Sequence, residues 1–121
     1  MRTGLRIASC LLCLAVSNIT YSQNLNQMEL NAAASQQLSA SEFMLGKAYE
    51  QLMDVLDPDR KEQLEAAQQA WTKFRDLNAA VVSSAYEGGS IRPLIHTQAL
   101  VAMTDNRTAE LAGMHLAEIT P

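Results

Sequence analysis

From Gln23 to Leu56 the chain has no proline and a single glycine, and leucine returns every seven positions at Leu38, Leu45 and Leu52. Ala48, Tyr49, Val55 and Leu56 fill the same side, so the spacing predicts one long amphipathic helix starting near Leu25. Gly46 lies inside it at a cost of roughly 1 kcal/mol against alanine and is read as a close approach by another helix. A second stripe follows: Leu64, Ala67, Trp71, Phe74 and Asn78 alternate at spacings of three and four around the only tryptophan. Gln68 and Arg75 flank that stripe, Asp76 follows at once, and Val81, Val82 and Ala85 extend the apolar face. In the third stretch Leu100, Met103, Arg107, Leu111 and Met114 form the stripe, with Arg107 where an apolar residue belongs.

Two breaks separate these stretches. At Asp57-Pro58-Asp59 the proline disfavours helix at Asp57, which can then cap a helix with Pro58 in its first turn. The second helix is expected over residues 58–86. Glu87-Gly88-Gly89-Ser90 is the second break, where glycine allows left-handed backbone and Ser90 is the expected cap of a third helix reaching Ile119. No alternating apolar pattern is long enough for a sheet. Short connections between long helices predict an all-α fold, an antiparallel up-down-up three-helix bundle, built around the tryptophan-bearing middle helix.

The first 22 residues differ from the rest. Arg2 and Arg6 precede an apolar run from Ile7 to Val16, and Thr20-Tyr21-Ser22 offers small residues for cleavage. This is the pattern of a secretory signal peptide over residues 1–22, leaving a domain over 23–121, with Ala15-Val16-Ser17 as a second cleavage possibility. The run is too short for a permanent bilayer anchor. Ile7-Ala8-Ser9-Cys10 has the letters of a lipobox, the lipoprotein alternative, although most of the apolar run follows that cysteine instead of preceding it. The expected location is therefore the periplasm or the exterior. Cys10 and Cys13 are the only cysteines, so the processed chain would have neither disulfide nor thiol chemistry.

Charge sharpens this. The whole chain has 9 basic and 13 acidic residues, a net charge of −4; removing Arg2 and Arg6 leaves seven against thirteen, or −6. Such a chain is a poor nucleic-acid binder and is drawn to cationic partners. His96 and His115 lie nineteen residues apart, which is not metal-ligand spacing. Asp54, Asp57 and Asp59 suit helix caps better than a calcium loop, and Met103 and Met114 suit core filling. No serine has histidine and acid partners at motif spacing. The reading is of a non-enzyme without cofactor or metal. Tyr49, Gln68, Trp71, Arg75, Asp76 and Arg107 are candidates for one polar seam that orients the helices, since a buried arginine needs an acceptor. The stretch with Tyr86, Glu87, Gly88, Gly89, Ser90 and Arg92 joins an aromatic ring, two charges and flexible glycines. It is the best candidate for contact with a protein partner.

The run Leu64 to Asp76, L-E-A-A-Q-Q-A-W-T-K-F-R-D, followed by Gly88-Gly89-Ser90 and by Met103-Thr104-x-x-Arg107-x-x-Glu110-Leu111, resembles the lysozyme inhibitor LprI-like family of exported bacterial proteins. Leu45 to Tyr49 looks like that family's first-helix motif. The resemblance covers nearly all of residues 23–121. It implies a helical domain that blocks a muramidase, such as a cationic lysozyme, by protein–protein contact; the alternative is a non-enzymatic structural or stress-related module of the envelope. The family's usual cysteines are replaced by Ala79, Ala99 and, in the first helix, Ala33, and its usual asparagine after the leucine by Gly46. The resemblance further implies that Ala79 and Ala99 face each other across a hairpin.

Overall fold

The computed structural model describes the backbone of residues 7–121 and the side chains of residues 26–121. The leader expected over residues 1–22, with its cysteines and cleavage site, lies outside the residues whose side chains are described. Three helices follow one another: α1 (Ile7–Val55), α2 (Pro58–Ser84) and α3 (Arg92–Ile119). Among the described residues there is no strand. The fold is an all-α bundle in which α3 packs along both other helices, while the backbones of α1 and α2 scarcely approach each other. The middle of the bundle is therefore α3, not the tryptophan-bearing α2.

Local chemistry explains most helix ends. Asp57 has extended backbone (φ −69°, ψ 164°), and its carboxylate accepts from the Arg60 N–H at 3.0 Å, with Pro58 in the first turn and Asp59 beside the positive helix end. The second break differs from expectation. Helix α2 stops at Ser84, two residues before Tyr86, and Ser90 does not cap α3: the residue before the helix is Ile91, in right-handed helical conformation with no side-chain cap bond. A chain of backbone turns replaces the cap, with Gly89 N–H donating to Tyr86 C=O at 3.0 Å and Arg92 N–H to Gly89 C=O at 3.3 Å. Helix α1 also begins well before Leu25, at Ile7.

The core has two halves. Toward the Asp57 turn, Leu45, Ala48, Leu52 and Leu56 of α1 meet Leu64 of α2 and Leu111 of α3, with Tyr49, Met53 and Trp71 packed around them. Leu52 and Leu111 are wholly buried, each contributing roughly 1.5–3 kcal/mol. Toward the other end the buried residues are mostly small: Ala34, Ser41, Ala79, Ser83 and Thr104, with Leu94 and Val101. Small side chains let α3 lie close to both neighbours. Between α1 and α2, by contrast, stand the long side chains of Trp71 and Arg75.

Several expected core residues face water. Phe74 is 60% exposed and Val81 69% exposed; Ala67, Val82, Ala85, Val55 and Met114 are exposed too. The stripe of α2 therefore lies partly on the outer side of its helix, while those of α1 and α3 each lose one residue to solvent, Val55 and Met114. Helix α2 turns Leu64, Gln68, Trp71, Arg75 and Asn78 inward, because α3 meets it with hydrogen-bonding partners at the level of Gln68, Arg75 and Asn78. Gly46 marks no close approach: a Cβ built there meets nothing within 4 Å, and the same holds at Gly113.

Helix α2 runs antiparallel to α3. Arg60 pairs with Glu118, Gln68 with Arg107, Arg75 with Thr104 and Asn78 with Met103, so paired residue numbers total between 175 and 181. That register sets wholly buried Ala79 level with residues 96–102 of α3, a span that includes Ala99. At the bundle's end the Arg60 guanidinium grips both oxygens of the Glu118 carboxylate. The hydrogen bond from Arg60 holds the Glu118 carboxyl below the usual range, against a smaller opposing effect of burial.

Candidate functional site

The polar seam forms around Trp71. Its ring packs against the leucine half of the core, with the Arg75 guanidinium carbon 5.4 Å and the Arg107 guanidinium carbon 6.0 Å from the ring centroid. Arg75 donates from Nε to Asp76 at 2.9 Å and from Nη1 to Glu42 of α1 and Thr104 of α3, both at 3.3 Å. Thr104 is wholly buried and hands its own proton to the Leu100 carbonyl at 2.7 Å. Arg107 donates from Nε to Gln68 at 3.1 Å and from Nη1 to Glu110 at 2.9 Å. Five of the six predicted seam residues thus come together. Tyr49 does not join them by hydrogen bond; its ring lies on the leucine cluster.

Glu42, Thr104 and Glu110 complete the seam, and the sequence reading did not assign them to it. The spacing of Thr104 and Arg107, one helical turn apart, was the available signal. The glutamine, tryptophan, arginine and T-x-x-R elements of the sequence pattern are one cross-link between α2 and α3, tied to α1 through Glu42. Among the described residues no buried side-chain nitrogen or oxygen lacks a partner. The seam is a hydrogen-bonded network that ties α2 to α3 and, through Glu42, to α1.

The second candidate is the α2–α3 connection. Gly88 has φ +79°, a conformation that side chains resist, and a Cβ at Gly89 would come within 3.3 Å of the Tyr86 carbonyl oxygen. These two glycines tighten the loop so that Tyr86, Glu87, Ser90 and Ile91 all stand exposed at one end of the bundle. Glu87 and Arg92 pair loosely across it at 3.6 Å. Below lies an open recess of about 450 Å³ lined by Ser83, Arg92, Pro93, His96 and Thr97 together with Ala80. His96 and Thr97 were not expected at this site. They line it from the first two turns of α3, opposite Ala80 and Ser83 of α2. Among the described residues, no three His, Cys, Asp or Glu side chains converge, and no helix is long and apolar enough to cross a membrane.

The chain is similar to an uncharacterized protein of Rhizobium meliloti (strain 1021), 30% identical over 99 residues that span 71% of each chain. No solved structure matches it. Residues 19–111, which hold the W-x-x-F-R-D run, the glycine pair and the T-x-x-R turn, match the family described as Lysozyme inhibitor LprI. The matched range takes in the cross-linked helices and the connection between them, and the chain belongs to the lysozyme inhibitor LprI family.

Proposed function

We propose that this protein is exported to the periplasm or secreted, and that it inhibits a muramidase by contact, without chemistry of its own. The observation that carries this reading is the family match over residues 19–111. The distribution of groups supports it. Thirteen acidic against nine basic residues favour approach to a basic enzyme. The tightened loop then presents Tyr86, Glu87 and Arg92 from a rigid platform, with the recess beside them to receive a side chain of the enzyme. A loop held by its own backbone bonds loses little entropy on docking.

The test is a lysis assay. Purified protein is titrated into several lysozyme types acting on bacterial cell walls. Inhibition below tens of micromolar, weakening as salt rises, is the expected result. No slowing with any lysozyme type rejects the function. Replacement of Tyr86 and Arg92 by alanine separately examines the surface: unchanged inhibition would keep the function and move the contact elsewhere.

A further inference from the structure

The recess beside the glycine turn holds side-chain donors that the fold leaves unused. Among the described residues, the guanidinium groups of Arg60, Arg75 and Arg107 are each hydrogen-bonded to a carboxylate or an amide. Arg92 is different. Its carboxylate neighbour Glu87 stands 3.6 Å away, beyond hydrogen-bond reach, and the two side chains are 43% and 76% exposed, so the contact holds little. The His96 ring and the Thr97 hydroxyl line the same recess, and neither is hydrogen-bonded to another described residue. All three groups can donate: a guanidinium always, an imidazole through at least one N–H, and a hydroxyl by rotation. Ser83 is not a donor here, since it is buried and gives its proton to the Ala80 carbonyl at 3.2 Å. Ala80 and Pro93 complete the wall with apolar surface. A cation and two further free donors, with hydrocarbon beside them, are complementary to an anion carried on an apolar stem.

We propose that this recess is a carboxylate site, with Arg92 as the charge partner and His96 and Thr97 as the further donors. A planar guanidinium matches a carboxylate with paired bonds, and an approaching acid displaces the loose contact with Glu87. Ala80 and Pro93 take the methylenes behind the carboxylate, which an inorganic anion such as sulfate lacks. The volume of about 450 Å³ holds a carboxylate with its stem. Under the proposed function, on which this part rests, the acid is a side chain of the muramidase cleft, because glycosidases cleave between a pair of carboxylates. The recess then engages a group that does the chemistry, while the loop from Tyr86 to Ile91 obstructs the cleft.

Proton NMR on the purified protein reads the site without any enzyme. The chain has two histidines, and His115, nineteen residues further along α3, is the internal control. Sodium butyrate is titrated in place of sodium chloride at constant pH and ionic strength. The expected result is a saturable shift of the His96 ring signals with a midpoint on the order of 10 mM, and none at His115. Arg92→Gln raises the midpoint about tenfold, Glu87→Gln lowers it severalfold, and sulfate binds more weakly than butyrate. In the lysis assay, Arg92→Gln and added butyrate each weaken inhibition. A His96 signal that does not move, or that moves in step with His115, overturns the site. So does a midpoint unchanged in Arg92→Gln, or tighter binding of sulfate than of butyrate. Inhibition indifferent to both butyrate and Arg92→Gln keeps the inhibitor reading and refutes the muramidase acid as occupant. A saturable His96 shift in a protein that inhibits no lysozyme refutes the proposed function and that occupant, and upholds the carboxylate site.

Discussion

Replacing Arg75 by alanine tests whether the seam holds the bundle together. Its side chain is only 11% exposed and reaches all three helices. The hydrogen bond to buried Thr104 is charge-assisted and contributes about 1.5–3 kcal/mol. Stacking on Trp71 in a partly dry site adds about 0.5–2 kcal/mol. The ion pairs add at most about 1 kcal/mol, because Glu42 and Asp76 are each half or more exposed. Thr104 is not orphaned, since it still donates to the Leu100 carbonyl. The contributions are coupled, so the expected loss is about 2–4 kcal/mol. For a domain of about 100 residues that lowers Tm by roughly 10–25 °C. Arg75→Lys should lose about half as much, keeping charge but not the planar stack. Urea unfolding followed by circular dichroism and Trp71 fluorescence gives each value. A loss under about 1 kcal/mol for Arg75→Ala refutes the reasoning. So would equal losses for Glu42→Ala and Asp76→Ala, which would mean that surface charge does the holding.

Three other outcomes follow from the geometry. Gly46→Ala and Gly113→Ala meet no neighbouring atoms and should each stabilise the protein by about 0.5–1 kcal/mol in urea unfolding, additively because they lie on different helices. Ala79→Cys with Ala99→Cys should form a bridge on oxidation and raise stability by up to about 3 kcal/mol for a loop of this size, as judged by mass shift and by unfolding with and without reductant. The Glu118 carboxyl is held below its unfolded value, so its pairing with Arg60 favours the fold above the ordinary carboxylate range and is lost as pH falls through the lowered value. Glu118→Gln should therefore lower Tm at pH 7, and the two melting curves should converge as pH falls through the lowered carboxyl value.

The parts of the fold legible in the sequence are those decided within a few residues. Asp57 and Pro58 set a helix start with their own atoms, and the seven-residue leucine repeat of α1 admits one buried face. Helix α2 was harder because it carries two rows at spacings of three and four. Leu64, Trp71 and Asn78 belong to the inner face whichever row accompanies them; hydropathy joins them to Ala67 and Phe74, whereas the structure joins them to Gln68 and Arg75. Only the partner helix decides, by offering Thr104 and Arg107 as hydrogen-bonding groups on that side. Ser90 misled for the reverse reason: a good capping residue went unused because the glycine turn already satisfied the local backbone. Of the candidate site, the loop residues were legible as a break in helical pattern, but the recess was not, since its walls depend on the rotation of α3 against α2.

The central place of α3 has a consequence for how the chain acquires its shape. The backbones of the first two helices scarcely approach each other, so a segment ending at the glycine turn could close only the packing of Leu64 and Trp71 on the α1 leucines and the Arg75–Glu42 pair. Most of the interior is covered only where the third helix lies along both of the others.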